Sequence, residues 1–352
     1  MYTEQFMAYD IETTSINEDG RDEVAFPYSF AFQVSDHEKD LELAKFRRWS
    51  DVKPWLDGKL TELGCRPAHG DDSGLYLVIY VHNLSYEYKY MQHSFEWEDV
   101  FAISSEHRIA RARTTSGIEF RCSYFLTNTG LAKVGKDVGI AKGEDFDYNL
   151  VRHHHTMFSD EEELYVDNDV KIITELIRQR LEREKSDDGR VVQRYSALMS
   201  SIPMTKTGYT RRTVRKACAR DVDYMRDVKR LRMTVDDYLA ARQAFGGGFT
   251  HANAVYTDRT VEGVVGYDIA SSYPASILQG VYPMESFQKL DAPSYKAFSE
   301  MMGSYCMIVD ITLQGVVSKT AMPPISSSKL IESSELVADN GRVWSADQIR
   351  VV

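Results

Sequence analysis

The sequence predicts an α/β fold, and three observations carry that expectation. Residues 6 to 11 (FMAYDI), 28 to 34 (YSFAFQV) and 75 to 81 (LYLVIYV) are short β-branched and aromatic runs bounded by polar or Gly-containing stretches, which is how strands read. A long helical pattern follows, in which Val170, Ile173, Leu176, Ile177 and Leu181 recur on one face. The length of 352 residues leaves room for two or three domains at roughly 150 residues each.

Taken in order, the first and third runs are apolar enough for central strands. The stretch from Glu106 to Ser123 alternates around Ser116-Gly117 as a hairpin would. A helix is expected near 129 to 138. The clearest helix starts at Ser159, where Ser159-x-x-Glu162 forms a capping box and Asp160 and Glu161 sit at the positive end of the helix dipole. It should stop near Asp187-Asp188-Gly189, and the first domain boundary is placed there. Between Pro203 and Arg232 ten basic residues, among them Lys206, Arg211, Arg215 and Arg220, face only Asp221, Asp223 and Asp227. That excess suits a phosphate backbone, or equally a solvated helical face. Beyond it come Phe245-Gly-Gly-Gly-Phe249, a strand at 263 to 269 (GVVGYDI), a helix after Pro274, a strand near 305 to 313, and forty irregular, Ser-rich residues.

Composition narrows the class. With 43% hydrophobic and 27% charged residues the chain is globular rather than disordered or collagen-like. The formal charge of -11 is opposite to the basic footprint usual for a nucleic-acid binder, so positive charge must be local if DNA is the partner. Cys65, Cys122, Cys218 and Cys306 form no CxxC pair, which excludes a zinc ribbon or disulfide framework and fits a reducing compartment. No basic leader or run of about 18 apolar residues occurs, so a soluble, cytoplasmic protein without membrane contact is expected. His153-His154-His155 cannot turn three rings to one ion and reads as a surface loop.

Three acidic elements carry chemistry. Asp10 and Glu12 are two apart on a strand, so both carboxylates leave one face and can grip a divalent ion. Glu87, in His82-Asn83-Leu84-Ser85-Tyr86-Glu87-Tyr88, opens a helix at the C-terminal end of a strand, where α/β sheets place ligands. Tyr165 and Asp169 are spaced i to i+4 on the capped helix and share a face. Each alone is an ordinary surface acid.

Together and in this order they resemble the DEDD-type 3′-to-5′ exonuclease domain in its DEDDy form, over roughly residues 6 to 185. The resemblance implies a ribonuclease H-like fold, a mixed sheet flanked by helices. It also implies Asp10, Glu12, Glu87 and Asp169 as ligands of two Mg²⁺ or Mn²⁺ ions, which are hard cations that prefer oxygen donors. In phosphodiester hydrolysis one ion activates water and the other stabilises the leaving oxygen, while Tyr165 orients the attacking water. Glu87 stands where the family has Asp and keeps charge and oxygen ligands at the cost of one methylene. By the same resemblance, Thr13, Asn83, Tyr86 and Ser123 hold a single-stranded 3′ end. Tyr124, where a Leu is usual, stacks on a base.

A second set follows the basic segment. Tyr267-Asp268-Ile269-Ala270-Ser271-Ser272-Tyr273-Pro274 resembles motif A (Dx2SLYP) of family B DNA polymerases, and Phe245-Gly246-Gly247-Gly248-Phe249-Thr250 resembles the YxGG(F/Y) segment that contacts template. The resemblance implies that Asp268 and the Ile269 carbonyl bind catalytic metal, that Tyr273 lies under the incoming sugar, and that Phe245, Gly247 and Gly248 meet DNA. The combined order is similar to protein-primed family B polymerases of phages and mobile elements. The Kx3NSxYG and YxDTD motifs do not occur after Asp268, so the expectation is the N-terminal part of such a polymerase, unable to polymerise alone. Its divisions are an exonuclease domain at 1–187, a basic linking segment at 188–260 and an incomplete α+β palm at 261–352. Implied partners are a primer-template, a single-stranded 3′ end, deoxynucleoside triphosphates if the polymerase half is present, and a primer (terminal) protein. Two rivals stand beside this reading: a free-standing exonuclease, and a DNA-binding or primer-protein-docking module without catalysis.

Overall fold

The computed structural model describes residues 1–16, 24–103, 108–143, 146–147, 150–188, 195–247, 254–256, 258–291, 294–318, 325, 329–334, 337–339 and 343–352. The chain divides into two compact units, Met1–Arg215 and Lys216–Val352.

The first unit is built on β1 (Tyr2–Ile16), β2 (Val24–Ser35), β3 (Asp40–Phe46), α1 (Trp49–Glu62), β4 (Tyr76–Val81), α2 (Leu84–Met91), β5 (Trp97–Ile103), β6 (Arg108–Thr114) and β7 (Ile118–Cys122). It continues through α3 (Tyr124–Thr127), α4 (Leu131–Val138), α5 (Asp160–Asp188) and α6 (Tyr195–Met199) into α7 (Lys206–Cys218). Its seven strands form one mixed sheet in the order β3-β2-β1-β4-β7-β6-β5. β1, β4 and β7 run parallel at the centre, and the outer pairs are antiparallel. All six residues of β4 are buried, as a central parallel strand covered on both faces requires. This is the α/β arrangement expected, a mixed sheet with helices, and it is consistent with the ribonuclease H-like class.

Strand alternation sorts the two cores. Phe6 and Ala8 face Val166, Val170, Ile173 and Ile177 of α5. Met7, Tyr9 and Ile11 face Val52 and Leu56 of α1 and Leu84 of α2. Continuing the even register puts Asp10 and Glu12 on the α5 side. Helices α4 and α5, and the hairpin of β6 and β7 with Gly117 at φ 96°, lie where the sequence places them. Elements β3 and α1 are additions. DLELAKF mixes charges into its alternation, and Pro54 inside α1 reads as a helix breaker.

The second unit contains α8 (Val222–Arg230), α9 (Val235–Ala244), α10 (Ser272–Gln279), α11 (Tyr295–Met301) and a small antiparallel sheet. That sheet runs β10 (Val337–Asp339), β11 (Val343–Val351), β8 (Ile311–Val317), with β9 (Leu330–Ser333) also pairing β11. Three expectations change here. Residues 263–269 join no ladder among the described residues, and Tyr267 is 95% exposed, because no strand lies alongside to pair the backbone. The strand expected near 305 to 313 forms at Ile311–Val317. The terminal residues expected to be irregular supply β9 to β11, whose interspersed Ser, Asp and Arg conceal the strand pattern. The helix after Pro274 forms as α10, with Pro274 in its first turn, where a missing N–H costs nothing. Among the described residues no helix is long and apolar enough to cross a membrane.

Candidate metal centre

Strand β1 and the long helix α5 deliver three of the acids. Glu12 and Asp169 are buried and Asp10 is half-buried, and their ligand oxygens all lie within 4.8 Å of one another. The cluster sits toward the C-terminal ends of the parallel strands β1 and β4, where α/β sheets place ligands. Glu87 arrives from the first turn of α2, just after β4, and is 3% exposed. It stands outside the 4.8 Å triad but within the field of Asp10 and then Glu12. Asn83 makes this approach possible by taking a left-handed conformation, φ 76°, between β4 and α2.

The electrostatics are those of crowded, buried carboxylates. Burial first, then repulsion from Asp169, pushes Asp10 up to about 8, and Glu12 rises to about 9 through burial, Asp10 and Asp169. Burial and Asp10 drive Glu87 well above the carboxylate range. Asp169 is also raised by burial, opposed by Lys142 and by the Tyr165 hydroxyl that donates to it. Glu87 Oε2 and Asp169 Oδ1 are buried without hydrogen-bond partners among the described residues. Crowded, partly orphaned carboxylates of this kind fit hard divalent cations.

Sequence reading passed over Lys142. Its Nζ lies 2.9 Å from Asp169 Oδ2 and 4.8 Å from the centre of the Tyr165 ring, so it is the resident positive charge of the centre. Nothing in Ala141-Lys142-Gly143 marks it, because its role comes from the loop's closure onto α5. Gly143 permits that closure, since a Cβ there would stand 3.0 Å from the Tyr165 ring. Tyr165 is itself buried against Phe146, with ring centroids 4.8 Å apart.

The residues expected to hold a 3′ end divide. Thr13 Oγ1 and Tyr86 OH share a hydrogen bond of 2.5 Å beside the acids, and Tyr86 and Asn83 are exposed. Ser123 is fully buried, with its hydroxyl 3.0 Å from His82 Nδ1, and His82 Nε2 meets the Thr129 carbonyl at 3.2 Å. Burial lowers His82 to about 4, so the ring is neutral and holds Ser123 in place. Tyr124 lies edge-on to His82, half-buried.

No protein-family model matches the chain, and no curated protein matches it. Among solved structures it is similar to Phi29 DNA polymerase complexed with primer-template DNA and incoming nucleotide substrates, with TM-score 0.48 and 15% identity over 73% of this chain. The same polymerase complexed with single-stranded DNA gives TM-score 0.47 and 17% identity over 73% of this chain. Its orthorhombic crystal form gives 0.46 and 16% over 72%. The chain spans 41 to 42% of the length of those polymerases. At this distance the likeness decides neither fold nor activity, and the chemistry rests on the acids themselves.

In the second unit Asp268 stands outside any metal-binding cluster of the described residues. Ile269 and Tyr273 are each 76% exposed, and Phe245 is 70% exposed. No atom stands within 4 Å of a Cβ built at Gly247, while Gly248 lies outside the described residues.

Proposed function

We propose that the first unit is a metal-dependent 3′-to-5′ exonuclease acting on single-stranded DNA, the proofreading part of a protein-primed family B DNA polymerase. One observation carries it: Asp10, Glu12 and Asp169 converge within 4.8 Å, with Tyr165 on the same helix face as Asp169. On this reading Asp10, Glu12, Glu87 and Asp169 would hold two Mg²⁺ or Mn²⁺ ions. When bound, such a pair supplies a hydroxide-like nucleophile and charge for the leaving oxygen. The chain's own groups do the rest. Tyr165, anchored on Asp169, orients the attacking water. Lys142 offsets negative charge as a phosphate approaches, and Thr13 with Tyr86 seats the terminal nucleotide. Glu87 reaches one methylene further than Asp and preserves the donor set.

Asp268, the Ile269 carbonyl and Tyr273 are proposed as the start of the polymerase site, with Phe245, Gly247 and Gly248 toward template. Primer-template, deoxynucleoside triphosphates and a primer protein are proposed as partners of that larger activity. The divisions at 1–187, 188–260 and 261–352 follow the motif sets. The test is a 3′-labelled single strand with Mg²⁺. Stepwise loss of label, abolished in Asp10→Ala, Glu12→Ala, is the expected result. Undiminished label, or equal digestion by the variant, would sink the nuclease and favour a binding module.

A further inference from the structure

A cavity of about 360 Å³ opens where Phe26 and Tyr28 of β2 meet the turn from β3 into α1, with Arg47, Arg48 and Trp49 along one side and His154 along another. Its size is that of a small-ligand pocket, for which about 300 Å³ is the lower end. None of the described residues lining it is acidic, in a chain of formal charge -11. The acids that act on Arg47, Glu163 and Glu162, are already bound to Lys45 and Arg152.

Three donors of the lining residues are buried without an acceptor among the described residues. Tyr28 is 1% exposed, yet its hydroxyl has no partner among the described residues, and the same holds for Trp49 Nε1 and Arg47 Nε. Arg47 is fixed in place: its Nη2 donates to the carbonyls of Thr156 at 2.7 Å and His153 at 3.3 Å, and its guanidinium lies 4.1 Å from the Phe158 ring centre. Arg48 donates to His154 Nε2 at 2.7 Å. The ligand this suits is flat, anionic and rich in acceptors. A nucleotide qualifies, with its base on an aromatic face and its phosphate on the guanidiniums.

Position supplies the second argument. β2 pairs with the strand that carries the acids, setting Pro27 opposite Thr13 and Phe26 opposite Thr14. The register shifts between Glu12 and Thr13, which lets Tyr28 stand at the cavity while still feeling the Glu12 charge. The cavity therefore lies on the side of the acid-bearing strand that β2 covers. We propose that this cavity is a second nucleotide site, which holds a base and phosphate of a single strand upstream of the 3′ end at the acids. It rests on the nuclease reading for the strand's direction, and on the cavity alone for the ligand's chemistry.

The experiment uses the full chain without divalent metal and measures fluorescence anisotropy of 5′-labelled dT10. Arg48→Ala with Trp49→Leu should weaken binding at least tenfold, and Trp49→Phe should keep most of it. Arg48 is exposed, so Arg48→Glu alone should reproduce the loss in a chain whose melting temperature is unchanged. Unchanged affinity in the folded variants overturns the site. Displacement of dT10 from the wild type by poly-glutamate, but not by dTMP, overturns it in favour of an acidic peptide. The two readings separate cleanly. Binding that depends on Arg48 and Trp49 without Mg²⁺-dependent digestion removes the nuclease and leaves the cavity, while digestion with variant affinities unchanged does the reverse.

Discussion

Burial and mutual repulsion make the three carboxylates held within 4.8 Å harder to ionise, and this has a sign that can be measured. Unfolded, these groups ionise near pH 4; folded and metal-free, Asp10 does so at about 8 and Glu12 at about 9. Between those limits the folded state binds more protons than the unfolded one, so stability falls as pH rises. Thermal melts in EDTA should therefore drop from pH 5 to pH 8.5, Mg²⁺ should raise the melting temperature more at pH 8.5, and Asp10→Asn should flatten the metal-free profile. A profile equally steep in Asp10→Asn would show that other groups govern it. Lys142 makes the second case. Lys142→Met removes the cation 2.9 Å from Asp169, so digestion of a 3′-labelled strand should slow at least tenfold at saturating Mg²⁺. A rate within twofold of wild type would make Lys142 a bystander. At this scale the acids were legible because spacing two on a strand and four on a helix fixes a shared face. Lys142 and the Tyr28 cavity were not, because loop closure and a shifted register bring their atoms together.

The helix α5 shows how an element carries the site. Ser159 Oγ accepts from the Glu162 backbone at 3.2 Å, and Glu162 Oε2 accepts from the Ser159 backbone at 2.9 Å, the reciprocal bonds the sequence pattern announced. Glu162 has a further task. It pairs with Arg152, which is 2% exposed, lies 4.5 Å over the Phe146 ring, and donates its backbone N–H to Thr14 Oγ1 at 3.1 Å. Thr14 is two residues past Glu12, so Glu162 and Arg152 tie the start of α5 to the acid-bearing strand. Ser159→Ala should cost about 1 kcal/mol in urea unfolding, the usual worth of an N-cap. Glu162→Ala also strands a buried guanidinium and should cost about 3 kcal/mol or more. Equal costs for the two would show that the Arg152 pair contributes nothing. The helix was readable because its stripe and cap agree. β3 and α1 were not, since each breaks a local rule that the packing of Val52, Leu56 and Leu60 overrides.

For the molecule as a whole, the charge of -11 conceals a distribution. Of the ten basic residues between 203 and 232, Arg212, Arg226 and Arg230 pair with Glu184, Asp223 and Asp227, so part of the basic excess is offset locally. The two units also differ in how they are built. The first gathers its acids in a buried centre. The second leaves Val264, Val265, Tyr267, Ile269, Leu278 and Val281 each more than two-thirds exposed around Asp268. Exposed apolar side chains in such density bind hydrophobic dyes, so the full chain should enhance anilinonaphthalene sulfonate fluorescence under native conditions. Asp268 belongs to no group of three or more metal-ligating side chains among the described residues. If hydrolysis belongs to the first unit alone, Asp268→Ala should leave the rate of 3′ label release within about twofold of wild type, whereas Asp10→Ala should abolish it. Loss of hydrolysis in Asp268→Ala, with the melting temperature preserved, would show that the second unit takes part in the nuclease reaction and that the chemistry is not confined to Asp10, Glu12, Glu87 and Asp169.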